Sequence, residues 1–392
     1  MKVGRWKVLG LAGALALGYV VTGEAAQIKV DENTWANFGL NMKIWYKNLD
    51  KRSNSTDKAG WSRNEFSVGN AKIYFSGQVT PLFQFYGEFD QEKAKDQKDV
   101  VGEAGINLAF AKEFQVLAGK IRKPFTRAQL SSGYAYLIPT GYFFDPHDKK
   151  GKNINLFTYD GNVDGGLMVH GDLGGGVFTY RAGLFNADER AKQFKDFEFN
   201  ARVEFQPLML GFKPESAATI TAKVADTYLG KKDVFTIGLG FMSKKKNIGG
   251  VDKTVDGWTV DALFEKKFGN VVPNLQVGYV GIKDTHKVGS TYEDSKAWYV
   301  QGQLLYDQVV GLGKPAIAVR FDSTENDKKV GGKDAKLDRI GVAFNYYIKG
   351  QAARISLGFD NAKYKDGSKD ALKAADKRRS ITDWYLYLQS QF

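Results

Sequence analysis

Phe197-Glu198-Phe199-Asn200-Ala201-Arg202-Val203-Glu204-Phe205-Gln206 alternates without a break between an apolar and a polar side chain. Successive side chains of a strand point to opposite faces, so the phenylalanines, Ala201 and Val203 share one face and the charged and amide groups share the other. Two architectures hold such a strand: a soluble sandwich or barrel with the apolar face inward, or a membrane barrel with the apolar face outward. Length separates them. Strands of soluble sheets typically run about 5–6 residues, whereas a tilted strand crossing a bilayer needs about 9–11, the length of this stretch. The expected fold is all-β, a transmembrane antiparallel β-barrel.

The same period recurs outward from this stretch in both directions. Phe38, Leu40, Met42 and Ile44 alternate with Asn37, Asn41 and Lys43, and Ile317, Val319 and Phe321 alternate with Arg320 and Asp322. Ile355, Leu357 and Phe359 alternate with Arg354, Ser356 and Asp360, and the pattern returns from Trp384 to Phe392. Strands are expected near 35–47, 64–79, 81–91, 100–112, 114–123, 164–172, 176–186, 195–206, 232–243, 255–268, 271–283, 293–306, 314–324, 335–348, 351–363 and 380–392. That makes sixteen, and bacterial single-chain barrels use even numbers with short periplasmic turns. With a periplasmic C-terminus, the short connections Thr80-Pro81, Lys112-Glu113 and Lys349-Gly350 all fall on the periplasmic side. The glycine runs at 174–176, 249–250 and 331–332 read as tight hairpins, because no helix follows them to make a phosphate loop.

One connection, 124–163, far exceeds the usual length, and such loops are generally functional or disordered. Phe125, Tyr134, Tyr136, Leu137, Ile138, Tyr142, Phe143, Phe144 and Phe157 give it a packing surface. Its expected partner is the barrel interior, where it would form a constriction; an outer lid or a subunit contact is the alternative. Residues 207–231 are also long, and no assignment follows from their pattern.

Composition agrees with a barrel. The 392 residues include 44 glycines, 8 prolines, 27 Phe, 19 Tyr, 7 Trp and no cysteine. The lack of cysteine excludes disulfide frameworks, thiol enzymes and cysteine-ligated metal sites. Three scattered histidines, His147, His170 and His286, give no metal-ligand spacing and no triad. Lys2, Arg5 and Lys7, the uncharged run Val8 to Val21 and the small residues at Ala25 and Ala26 read as a signal peptide over 1–26. Its removal takes three basic and one acidic side chain, which leaves the barrel, 27–392, at +10 from a total of +12.

The cations are the candidate functional residues. By strand parity Lys43, Lys72, Lys120, Arg122, Arg181, Arg202, Arg320, Arg339 and Arg354 fall on the polar face, which is the lumen of a membrane barrel. Arg and Lys rings make anion pores, and the guanidinium fork matches phosphate and carboxylate oxygens. Glu88, Asp90, Glu103, Glu198, Glu204, Asp261, Asp322, Asp360 and Asp383 share those faces, so a lumen of mutually neutralising pairs stays open as the alternative. The balance tips at Gly119 to Arg127, where Lys120, Arg122, Lys123 and Arg127 occur with no acidic residue as the strand gives way to the long loop. Fixed charge is most selective in a narrow, weakly screened place. Lys244 to Lys246 and Lys328-Lys329 suit lipopolysaccharide phosphates, and no nucleic-acid partner is expected.

Several stretches resemble the phosphate-selective porin O and P family of bacterial outer-membrane porins. G-K-I-R-K-P-F-T-R (119–127) is similar to its G-K-F-K-x-P-F segment, and V-F-T-Y-R-A-G-L-F-N (177–186) and F-N-A-R-V-E-F-Q-P (199–207) resemble two of its strands. G-K-K-D-V-F-T-I-G-L-G-F (230–241) and the terminal Phe392, with Trp384, Leu386 and Leu388 at alternate positions, extend the likeness. The resemblance implies a sixteen-stranded homotrimeric barrel with an inward-folded loop in the outer membrane. It implies passive diffusion of small anions, with phosphate as a candidate solute, and neither catalysis nor a cofactor. A weakly selective general porin and a barrel plugged by its own loop are the competing readings.

Overall fold

The computed structural model describes residues 26–52, 61–90, 100–142, 156–159, 161–186, 196–367 and 380–392. The expected signal peptide up to residue 25 and the side chains of Phe143, Phe144 and His147 lie outside the described residues. The strands are β1 (Ala26–Lys29), β2 (Trp35–Arg52), β3 (Trp61–Gln78), β4 (Phe83–Asp90), β5 (Val101–Ala109), β6 (Gln115–Arg122), β7 (Val163–Leu173), β8 (Phe178–Asn186) and β9 (Phe197–Phe205). They continue with β10 (Val234–Ile248), β11 (Val251–Glu265), β12 (Val271–Val288), β13 (Thr291–Tyr306), β14 (Lys314–Val330), β15 (Lys333–Tyr347), β16 (Ala353–Lys365) and β17 (Ser380–Gln391).

From β2 onward each strand pairs antiparallel with the next, and β17 returns to β2 in the register Trp384↔Asn48 to Gln391↔Asn41. The ring is therefore a closed barrel of sixteen strands, as expected from the alternation. β1 was not expected: four residues are too few to show a period. It pairs with β2 in the register Ala26↔Phe38 to Lys29↔Trp35. The strands β10 to β15 run several residues past their expected ends because their outer hairpins close tightly. Gly249 and Gly250 (φ 62° and 85°) link Ile248 to Val251, and Gly331 and Gly332 (φ 56° and 76°) link Val330 to Lys333. Two consecutive positive φ values make the turn whose twist matches paired strands.

Exposure confirms which face is which. On β9, Phe197 is 65% and Val203 50% exposed, while Glu198, Arg202 and Glu204 are 2%, 1% and 0% exposed. Trp258, Trp298, Phe321, Leu357 and Trp384 also stand on the exposed side. A soluble protein would reverse this, so the apolar surface belongs against lipid. No described helix is long and apolar enough to cross a membrane.

The interior is filled by two segments. After β6 the chain turns inward at Lys123 and forms a single helical turn, α1 (Arg127–Leu130), capped by Thr126, whose side chain accepts from the Gln129 amide while the Gln129 side chain accepts from the Thr126 amide. Strand side chains then hold the loop by its carbonyls. Lys43 Nζ donates to Gly133 O (3.0 Å), Gln389 Nε2 to Tyr134 O (3.0 Å), Arg354 Nη1 to Tyr136 O (2.6 Å) and Asn345 Nδ2 to Leu137 O (2.8 Å). Donors on β2, β15, β16 and β17 reach one loop only if it lies inside the barrel. The second segment, residues 206–233 between β9 and β10, leaves the periplasmic end by the same parity and also folds inward. It meets the first at a parallel bridge, Ser131↔Val224, with Ser131 Oγ donating to Asp226 Oδ1 at 2.6 Å.

Candidate functional site: a lumen cavity against β2 to β4

The two inward segments do not fill the lumen evenly. A cavity of about 780 Å³ remains against the inner face of β2, β3 and β4, opposite residues 132–140 of the first segment and Thr221 and Lys223 of the second. Five cations line it, Lys43, Lys47, Lys72, Arg122 and Lys223, against the carboxylate of Glu88. Asp90 and Glu103 lie buried behind the wall at 5% and 1% exposure.

Each lining cation is held in place. Lys43 sits over the Tyr134 ring (4.1 Å to its centroid) while donating to Gly133. Lys47 lies over Trp45 at 4.8 Å and Lys223 over Tyr86 at 5.6 Å. Aromatic faces attract cations, so the rings help to position these ammonium groups. Lys72 lies between Glu88 (2.6 Å) and Asp90 (3.2 Å). Arg122 meets Glu103 at 2.8 Å and donates through Nη1 to the carbonyls of Gln129 and Ser131, both at 2.8 Å, tying the loop to its root. Lys223 shares Glu103 at 2.8 Å.

Of the eleven cations singled out from the sequence, Lys43, Lys72 and Arg122 line this cavity and eight do not. Lys120 is placed differently from its parity reading. It stands in register with Ala104 and Gly165, on the side of Ala118, whose partners Ile106 and Leu167 are exposed apolar residues. Its ammonium folds back to the Val101 carbonyl at 2.6 Å, as a lysine on a lipid-facing strand end does. The register runs unbroken to Arg122, which shares this parity and reaches the lumen only because the strand ends there and the chain enters the inward loop.

The other seven are sealed in the packing between the barrel wall and the inserted segments, to which Arg127 itself belongs. Lys123 pairs with Glu198 at 3.2 Å, and Arg127 makes a two-pronged pair with Glu215 at 2.7 and 2.9 Å. Arg181 and Arg202 flank Glu204 at 2.7 and 2.8 Å, and Arg202 continues to Asp261 at 2.6 Å. Arg320 bridges Asp322 (2.9 Å) and Asp360 (3.1 Å), and Arg339 pairs with Asp322. Arg354 reaches the Tyr136 carbonyl and lies 5.2 Å from the Tyr387 ring centroid. Arg127, Arg181, Arg202, Arg320 and Arg354 are at most 1% exposed. Apart from Arg354, which meets carbonyl, amide and ring partners, these residues fit the alternative of mutually neutralising pairs, and all of them brace the interior instead of lining open space.

Lys47 and Lys223 were not singled out from the sequence. Lys47 shares the parity of Lys43 at the end of the expected strand and could have been found; Lys223 lies in the non-periodic segment and could not. Among the described residues no group of three or more His, Cys, Asp or Glu is placed to hold a metal. His170 is buried between the Ala217 carbonyl (2.8 Å) and Asn107 (2.9 Å).

Solved structures share this architecture. The anion-selective porin from Comamonas acidovorans is 12% identical with a TM-score of 0.60, covering 92% of this chain and 100% of that one. The outer membrane channel DcaP of Acinetobacter baumannii is 10% identical (TM-score 0.58, 93% and 99% covered), and Salmonella typhi OmpF is 13% identical (TM-score 0.56, 94% and 100% covered). At such identities the likeness establishes the fold alone. The chain matches none of the curated proteins compared with it. The sequence profile of the phosphate-selective porin O and P family matches residues 37–244, more than half of the chain. With the closed barrel, the lipid-facing exterior and the inward loop, that match makes the chain a member of this family, a porin of the bacterial outer membrane.

Proposed function

We propose that the channel passes small anions by passive diffusion along the cavity wall of β2 to β4. One observation carries this reading: five cations line the cavity, and even after Glu88, Asp90 and Glu103 are set against them the balance stays positive. Three of the five are seated over aromatic rings, which helps to orient their charge. The selecting residues on this reading are Lys43, Lys47, Lys72, Arg122 and Lys223, and inorganic phosphate is one candidate solute. The porin from Comamonas acidovorans, described as anion-selective, shares the fold.

Planar-bilayer reversal potentials in a potassium chloride gradient test this directly. Anion preference is expected, and cation preference overturns it. A weakly selective channel is the second reading, favoured by the neutralised network of Arg181, Arg202, Glu204 and Asp261; a reversal potential near zero would establish it. We further propose export through the signal at 1–26, contact with lipopolysaccharide at the lysine-rich outer ends, and assembly as a homotrimer. A heat-sensitive oligomer on unboiled gels, with a threefold mass, is the expected sign of the trimer.

A further inference from the structure

The cavity is many times larger than an inorganic phosphate ion, and one of its walls combines charge with a fixed ring. Along the inner face of β3, Lys72, Tyr74 and Ser76 follow one another and all three line the cavity. Alternate residues of a strand stand about 7 Å apart, so an ammonium, a phenol and a hydroxyl succeed each other at that interval. Asn41, the register partner of Lys72, adds an amide beside the cation.

Tyr74 is held as a flat surface. Its register partner is Gly39, and a Cβ on Gly39 would lie 2.2 Å from Tyr74 Cζ, so the ring rests against bare backbone. The phenol also donates to the Phe392 carbonyl at 2.8 Å. A ring with one face on the barrel wall and both ends tethered presents its other face to the lumen. Bare anions gain nothing from such a face, because the aromatic quadrupole repels negative charge. A sugar ring does gain, since its C–H groups pack on aromatic faces while its hydroxyls meet amides and hydroxyls. A six-membered sugar carrying a phosphate one methylene away spans the interval from Lys72 to Tyr74.

Resting on the anion reading above, we propose that this wall selects phosphorylated sugars over inorganic phosphate: the phosphate on Lys72 and Lys43, the ring over Tyr74, and hydroxyls on Ser76 and Asn41.

The test is block of single-channel chloride current by glucose 6-phosphate, inorganic phosphate and glucose at one pH and ionic strength. Glucose 6-phosphate is expected to block at a concentration about fivefold or more below inorganic phosphate, the factor one aromatic contact supplies. Glucose alone should not block. Tyr74→Ala should bring the two phosphates level, and Tyr74→Phe, which keeps the ring, should retain most of the difference. If the wild-type channel prefers anions but inorganic phosphate blocks as well as the sugar phosphate, the sugar inference is overturned and the anion reading stands. If the channel shows no anion preference, the anion reading itself fails. Retention of the difference in Tyr74→Ala also overturns the assignment to this wall.

Discussion

Lys72→Gln is the most informative single change, because its effect on selectivity can be worked out beforehand. The lysine faces the cavity between Glu88 at 2.6 Å and Asp90 at 3.2 Å, so glutamine removes one positive charge and leaves both carboxylates in place. An ion passing about 7 Å away feels about 0.6 kcal/mol from one unit charge in water. Salt weakens this: the Debye length is about 30 Å at 0.01 M, 10 Å at 0.1 M and 3 Å at 1 M. Since the anion loses what the cation gains, the anion-to-cation permeability ratio should fall about fivefold at 0.01 M and about threefold at 0.1 M. At 1 M it should change by only about 20%. Reversal potentials across a salt gradient at these mean concentrations provide the measurement. Lys296→Gln is the comparison: this lysine stands on the outward face beside Trp298, paired with Glu325 at 2.8 Å, and should leave the ratio unaltered. An unchanged ratio for Lys72→Gln at 0.01 M, or a change of the same size at 1 M, would refute the argument that cavity charge sets selectivity.

Three other outcomes follow from the geometry. Glu204→Ala removes the carboxylate partner of the fully buried Arg181 and leaves Arg202 with Asp261 alone; uncompensated buried charge costs about 3–5 kcal/mol, so unfolding in detergent should occur at markedly lower temperature or denaturant concentration. Gly39→Ala places a Cβ 2.1 Å from the Phe392 carbonyl oxygen, and the yield of heat-modifiable barrel should drop sharply; a normal yield would show that this closure tolerates displacement. Asp307, in the turn after β13, is pushed up by burial but held below its usual range by Lys267 and Lys314. A depressed carboxyl stabilises the fold above its unfolded pKa and loses that contribution as pH falls through its folded value. Asp307→Asn should therefore lower thermal stability at neutral pH and narrow the gap to wild type as the medium is acidified below the normal carboxylate range.

The strands were legible because a membrane barrel exposes its pattern twice, once to lipid and once to water. Phe197 to Gln206 shows the period, and β9 reproduces it residue by residue. What parity reports is a face, and nothing about what lies above that face. Arg181 and Arg202 were placed inward correctly, yet whether they meet water or protein depends on residues 206–233, whose course no period reveals. Lys120 and Arg122 differ by two positions and should share a face. In register they do share one, but Arg122 is the last residue of β6 and its side chain follows the chain into the lumen, which alternation cannot show. Lys223 became visible only once the second segment was seen to turn back into the lumen.

The short strand β1 takes the same edge of β2 that β17 uses higher up. Phe392 exchanges hydrogen bonds with Leu40 (2.9 and 3.0 Å), and Gln27 to Lys29 of β1 pair with Asn37 to Trp35 directly below. The two ends of the barrel thus abut along one edge like planks laid end to end. A closing strand can slide along its neighbour by two residues without turning its side chains over, and face pattern alone does not forbid that slip. Here an advance of β17 by two would bring Phe392 opposite Phe38, against the start of β1. The first strand stands as a stop beside the closing edge and favours the register in which the ring is joined.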